Sequence, residues 1–158
     1  MPFVALAIGA VIIAIDQVIK YFVHNELKPV GEISVIDGWI RLAYVENRGV
    51  AFGLFRDMRW IFIAVTTALL ISIIVYMFKK RPSGIFFYIC AGLIIGGGVG
   101  NLIDRIMYGY VIDYLSVSFF PPVCNFADYS ITIGVVLFVV YFLFFSDTFK
   151  SKKVLKND

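Results

Sequence analysis

Histidine and cysteine are almost missing from this 158-residue chain, which holds one His, His24, and two Cys, Cys90 and Cys124. A single histidine argues against a histidine-based metal site, and the cysteines match neither a metal spacing nor a CxxC motif. Nothing in the pattern calls for a metal or a cofactor. Cys90 falls inside an apolar run, where a cysteine acts as a small buried hydrophobe. Charge is also scarce, at 16% of residues, where a soluble domain carries about 25%. The net charge of +3 forms no basic stripe, so nucleic acid is not an expected partner; it suits basic loops resting on anionic lipid.

What is abundant is apolar surface, with 61% of residues hydrophobic and 17% aromatic. Four runs, roughly 3–23, 60–78, 84–103 and 126–145, are long enough to cross about 30 Å of hydrocarbon. The expected fold is an all-α membrane protein, one integral membrane domain over 1–158, with four transmembrane helices. The first run is not expected to be a cleavable signal peptide, because it lacks a basic leader and carries Asp16. Lys79-Lys80-Arg81 and the tail lysines Lys150, Lys152, Lys153 and Lys156 place both termini on the cytoplasmic side by the positive-inside rule.

Between the first two helices, two β-prone runs flank Asp37-Gly38, a hairpin signal. They predict a small extracytoplasmic β-sheet, after which Val50 to Phe55 re-enters the interface. Gly92, Gly96 and Gly100 repeat every four residues and predict close helix packing, with Gly100 also opening room beside Asn101.

The polar residues in or beside the spans gather at the outer side. They include Asp16, Lys20, Asn47, Asn101, Asp104, Arg105, Asp113, Asn125 and Asp128. An ion pathway would need polar groups through the full thickness. Asp16 and Lys20 stand four apart, acid first, which suits a stabilising helical pair. Asp104-Arg105 reads as an interface pair with the arginine reaching the headgroups. Asn125 reads as the N-cap of the fourth helix, with Asp128 as its box partner. His24, Glu26 and Glu46 read as solvated loop residues. Asp113 has no such local account, because Val111, Ile112, Tyr114 and Leu115 offer it no charge. A carboxylate near hydrocarbon costs several kcal/mol and marks a functional site by default.

Four motifs occur in order: Asp16-Gln17-Val18-Ile19-Lys20; Asn47-Arg48-Gly49-Val50-Ala51-Phe52-Gly53; Gly100-Asn101-Leu102-Ile103-Asp104-Arg105 through Gly109 to Val111-Ile112-Asp113-Tyr114; and Asn125-Phe126-Ala127-Asp128. Together, from Asp16 to Gly134, they resemble lipoprotein signal peptidase, the type II signal peptidase of bacteria. The resemblance implies an aspartyl endopeptidase of the bacterial cytoplasmic membrane, without metal, that removes the signal peptide of lipid-modified prolipoproteins just before the lipidated cysteine. It implies a catalytic dyad of Asp113 and Asp128 near the outer face. Asp16, Asn47, Asn101, Arg105 and Asn125 would support the dyad or contact substrate and peptide antibiotics such as globomycin. Val50, Tyr114 and Ser116 depart from the family pattern, which has Ala, Phe and often an acid there.

Two carboxylates in a low-dielectric site share a proton, which suits acid–base hydrolysis. Rival readings are a small proton- or ion-coupled transporter using Asp16 and Asp113 as relays, and a non-catalytic assembly protein.

Overall fold

The computed structural model describes residues 1–49 and 58–145. The expected re-entry of Val50 to Phe55 and the lysines of the tail lie outside the described residues.

Helix α1 (Pro2–Phe22) opens with a proline, whose missing N–H costs nothing in the first turn. It runs on through a π-helical turn, Val23–Leu27, into a last turn, α2 (Lys28–Val30), and ends at Gly31 with φ +86°. The helical run thus outlasts the expected span and carries His24 and Lys28 beyond it. Helix α3 (Arg59–Lys80) stops at Arg81 in the left-handed conformation, and the link to α4 (Ile85–Met107) is a tight turn. Helix α5 (Phe126–Phe145) closes the bundle. Among the described residues four helical runs are long and apolar enough to cross a membrane, as expected.

Helix α4 is the central one, with 56% of its apolar window buried against 17% or less for each of the others. Glycine explains this. A Cβ on Gly96 would lie 2.6 Å from Ile12 Cβ and 2.9 Å from the Gly9 carbonyl, so α1 reaches α4 only because that atom is missing.

The sheet is larger than expected. Strands β1 (Glu32–Ile36) and β2 (Ile40–Asn47) form the hairpin over Asp37-Gly38, with Gly38 at φ +75°. They are joined by β3 (Val111–Val117) and β4 (Phe120–Cys124), giving an antiparallel sheet in the order β1-β2-β3-β4. The sheet therefore draws half its strands from between α4 and α5, and Asp113 sits in a strand rather than a loop. Val111, Ile112, Tyr114 and Val117 favour that conformation. Pro121 and Pro122 are tolerated because β4 pairs on one side only. The register sets Val45 opposite Asp113 and Asn47 opposite Val111, which puts Asn47 two residues along on the same face, in diagonal reach of the acid.

Candidate active site

The site is built around the first turn of α5. A helix start leaves N–H groups without intrahelical partners. Here four are taken by side chains, two from within the turn itself and one each from α1 and β3. Asp128 N–H donates to Asn125 Oδ1 at 2.9 Å, and Asn125 N–H donates back to Asp128 Oδ2 at 3.1 Å, the reciprocal box expected from the sequence. Ala127 N–H donates to Asp16 Oδ1 of α1 at 3.1 Å. Phe126 N–H donates to the Tyr114 hydroxyl of β3 at 3.1 Å. Asp128 is thereby fixed relative to both the bundle and the sheet.

Two asparagine amides then join the aspartates. Asn125 Nδ2 donates to Asp113 Oδ1 at 2.6 Å and to Asn101 Oδ1 at 3.1 Å. Asn101 Nδ2 donates to Asp128 Oδ1 at 2.8 Å. From β2, Asn47 Nδ2 donates to Asp113 Oδ2 at 2.8 Å. Asn101 Oδ1 accepts a further bond from Lys20 Nζ at 2.9 Å, so both asparagine amides have their oxygens and nitrogens assigned by their partners. Each aspartate receives a donor on both oxygens, and Asp113 and Asn125 are almost fully buried.

Behind this layer lies a second cluster. Lys20 Nζ stands 2.9 Å from Asp16 and 2.8 Å from Asp104, all three buried. The Asp16–Lys20 pair is the one expected. The Asp104–Arg105 pair is not formed: Asp104 Oδ2 instead accepts Lys20 and the Ile112 N–H of β3 at 3.1 Å, while Gln17 reaches Oδ1 at 3.1 Å. Consecutive helical residues point about 100° apart, which separates Asp104 from Arg105. Gly100 makes room for the cluster, since a Cβ there would lie 2.5 Å from Asp16 Oδ2. Arg105 donates to the Asn101 carbonyl at 3.2 Å and lies over the Phe62 ring at 5.4 Å. It stands within electrostatic range of Asp128 and Asp113 without a direct bond to either among the described contacts.

Burial pushes the Asp113 carboxyl up to about 7, and the charge of Asp128 adds to the rise, while the bonds from Asn47 and Asn125 oppose it. Burial likewise raises the Tyr114 hydroxyl to about 12, so it stays neutral and accepts the Phe126 N–H unaided.

Of the three residues read as solvated loop positions, Glu26 is exposed as expected but helical, and His24 and Glu46 make contacts. His24 and Glu26 lie in the π-helical turn, where the His24 ring stacks on Tyr108 at 5.5 Å and meets the Tyr44 hydroxyl at 3.2 Å. Glu46 bridges Lys28 and Arg48, each at 3.2 Å. These contacts tie the end of α1 to β2 beside Asn47. The tie from Tyr114 to the start of α5 is the site contact missed in the sequence. Tyr114 was visible as a departure from the family pattern, but its hydroxyl's target lies twelve residues away across a hairpin.

Comparison with known proteins identifies the family. Residues 8–144 match the family model described as signal peptidase (SPase) II. The lipoprotein signal peptidase of Halothermothrix orenii is 42% identical over 83% of this chain and 89% of its own length. That of Clostridium acetobutylicum is 37% identical over 98% of this chain and its whole length. A bacterial membrane enzyme structure obtained by the in meso method at 2.3 Å resolution superposes with a TM-score of 0.81 at 29% identity, covering 88% of this chain and 87% of the other.

Proposed function

This chain belongs to the signal peptidase II family, peptidases that remove signal peptides from lipoproteins, and from that premise we propose an aspartyl mechanism with Asp113 and Asp128 as its two acids. The observation that carries the reading is Asn125, whose side-chain amide donates to the strand acid and whose backbone N–H donates to the helix acid inside a buried site.

The pair holds one proton, because two buried carboxylates side by side do not both ionise. At rest that proton belongs on Asp113, whose carboxyl burial and the neighbouring charge push up. Asp128 faces two N–H donors at the positive end of α5 and the field of Arg105, which together suit it to activate water. Asp128 takes a proton from water as its oxygen bonds the scissile carbonyl carbon. Asp113 gives its proton to the carbonyl oxygen. When the tetrahedral intermediate collapses, the C–N bond breaks, the amine leaves with the proton now on Asp128, and the hydroxyl proton returns to Asp113. Asn47, Asn101 and Asn125 hold the carboxylates in place, while Asp16 holds the helix that bears Asp128.

The bond cut is proposed to be the one before the lipidated cysteine of a diacylglyceryl-modified precursor. The site lies at one end of the helices, where a peptide bond at the interface meets the acids while acyl chains stay in lipid. That end is proposed to face outward from the bacterial cytoplasmic membrane, with both termini inside. Peptide antibiotics of the globomycin type are the expected inhibitors. The test is gel-shift conversion of a purified diacylglyceryl precursor by the purified enzyme in liposomes. Wild type should convert it, and Asp113→Asn and Asp128→Asn should not. Unimpaired conversion by either variant would refute the dyad.

A further inference from the structure

Helices α3 and α5 both pack on α4 and scarcely touch each other, which leaves a cleft with α4 as its floor. Toward the end of the bundle away from the aspartates the cleft widens into a cavity of about 460 Å³. Its walls are Leu69, Ile73 and Tyr76 of α3 and Phe138 of α5, over Phe87 and Ile94 of α4. The same stripes lead to the acids. On α3, Phe62, Leu69, Ile73 and Tyr76 stand at i, i+7, i+11 and i+14, one face of a helix. On α4, Phe87, Ile94 and Arg105 also share a face. Phe62 and Arg105 meet at the outer end, where Arg105 feels the charge of Asp128. Cavity and acids therefore lie along one face of α4.

Resting on the reading above, we propose that this cleft seats the apolar helix of the signal peptide, and that the cavity takes bulky apolar side chains about 10–14 residues before the cut. The length follows from the helix rise. Along α5, Phe138 and Phe142 lie about 15 and 21 Å from Asp128, at about 1.5 Å per residue. A substrate helix starting at the acids covers that span in the same number of residues. A signal peptide carries an apolar region of about 7–15 residues before its cleavage site, so its upstream end falls at the cavity. Docking of a helix in a groove is read through anchors spaced as these stripes are. The cavity thus measures how far the apolar region extends.

A photoreactive benzoylphenylalanine placed about 12 residues before the cut in a diacylglyceryl precursor tests this with the wild-type enzyme in liposomes. It should crosslink to the cavity walls at Phe87, Ile94 or Phe138, and the same probe about 4 residues before the cut should not. Crosslinks confined to lipid or to other faces would overturn the seat. Cleavage of the same probe, read in the same tube, reports separately on the peptidase reading. A second arm uses Ser72→Trp, since Ser72 is an exposed residue that lines the cavity and, among the described residues, bonds its own helix at 2.7 Å to the Ala68 carbonyl. It should raise KM several-fold for the full precursor with kcat unchanged, and leave a precursor shortened upstream of the cavity unaffected. An equal effect on both substrates, or none on either, would overturn the proposal.

Discussion

Asn125 reaches the Asp113 carboxylate at 2.6 Å with the same amide nitrogen that bonds Asn101 at 3.1 Å. Its backbone N–H meanwhile holds Asp128 at 3.1 Å. One residue therefore sets the relation between an acid on a strand and an acid on a helix.

Asp113→Asn and Asp128→Asn each alter a single group in this network and should insert and fold nearly normally. Each is expected to lower cleavage of a diacylglyceryl precursor at least about 10³-fold, and the double variant should be little worse, because groups acting as a unit are non-additive. Activity should persist in EDTA, since the proposed steps move protons between the two carboxyls, water and substrate. Losses in the two single variants that multiply in the double variant would contradict a shared role.

Asp16→Asn removes the charge facing Lys20 at 2.9 Å but leaves Asp104 to pair with it at 2.8 Å. The amide oxygen still accepts the Ala127 N–H. Reduced stability with measurable turnover is the expected result, read as a lower Tm in detergent beside a rate well above that of the dyad variants. A correctly folded variant as inactive as Asp113→Asn would give Asp16 a part in the chemistry.

Tyr114→Phe deletes the acceptor of the Phe126 N–H. An unsatisfied buried N–H costs about 1–3 kcal/mol, so Tm should fall. Freed at one of its four ties, the start of α5 should also hold Asp128 less well, and kcat should drop more than KM changes. An unchanged kcat would limit Tyr114 to folding.

Cleavage should decline as pH rises through about 7, because Asp113 then loses the proton the mechanism needs. Stability should follow the same direction. The folded state holds this proton more tightly than the unfolded chain, whose ordinary value is 3.8. The contribution is full below that value and is lost as pH climbs to about 7. A pH–rate profile in liposomes that rises between pH 7 and 9 would contradict the assignment.

Much of this was legible in the chain. The four apolar runs, the Asp37-Gly38 hairpin, the Asp16–Lys20 spacing and the Asn125–Asp128 box are all local signals with fixed periods. What stayed hidden depends on pairing across distance. The strand nature of Val111–Val117 was masked because Asp113 interrupts its apolar residues, and two prolines made β4 look like a loop. Asp104 was matched with its neighbour Arg105 because adjacency is visible and a contact with Lys20 across two helices is not. The tie of Asp16 to Ala127 joins residues 111 positions apart, beyond any local pattern.

That last tie bears on how the enzyme is made. Asp16 belongs to the first membrane helix and Ala127 to the last, and Asp113 lies on the far side of a hairpin from Asp128. During synthesis, a chain that has emerged only as far as α4 and the sheet holds one acid, an unoccupied Asp16 oxygen and a Tyr114 hydroxyl without its N–H. On the proposed mechanism, peptidase activity begins with the docking of α5. A half-inserted chain would then be silent toward its neighbours in the membrane, and the appearance of cleavage would mark a completed bundle.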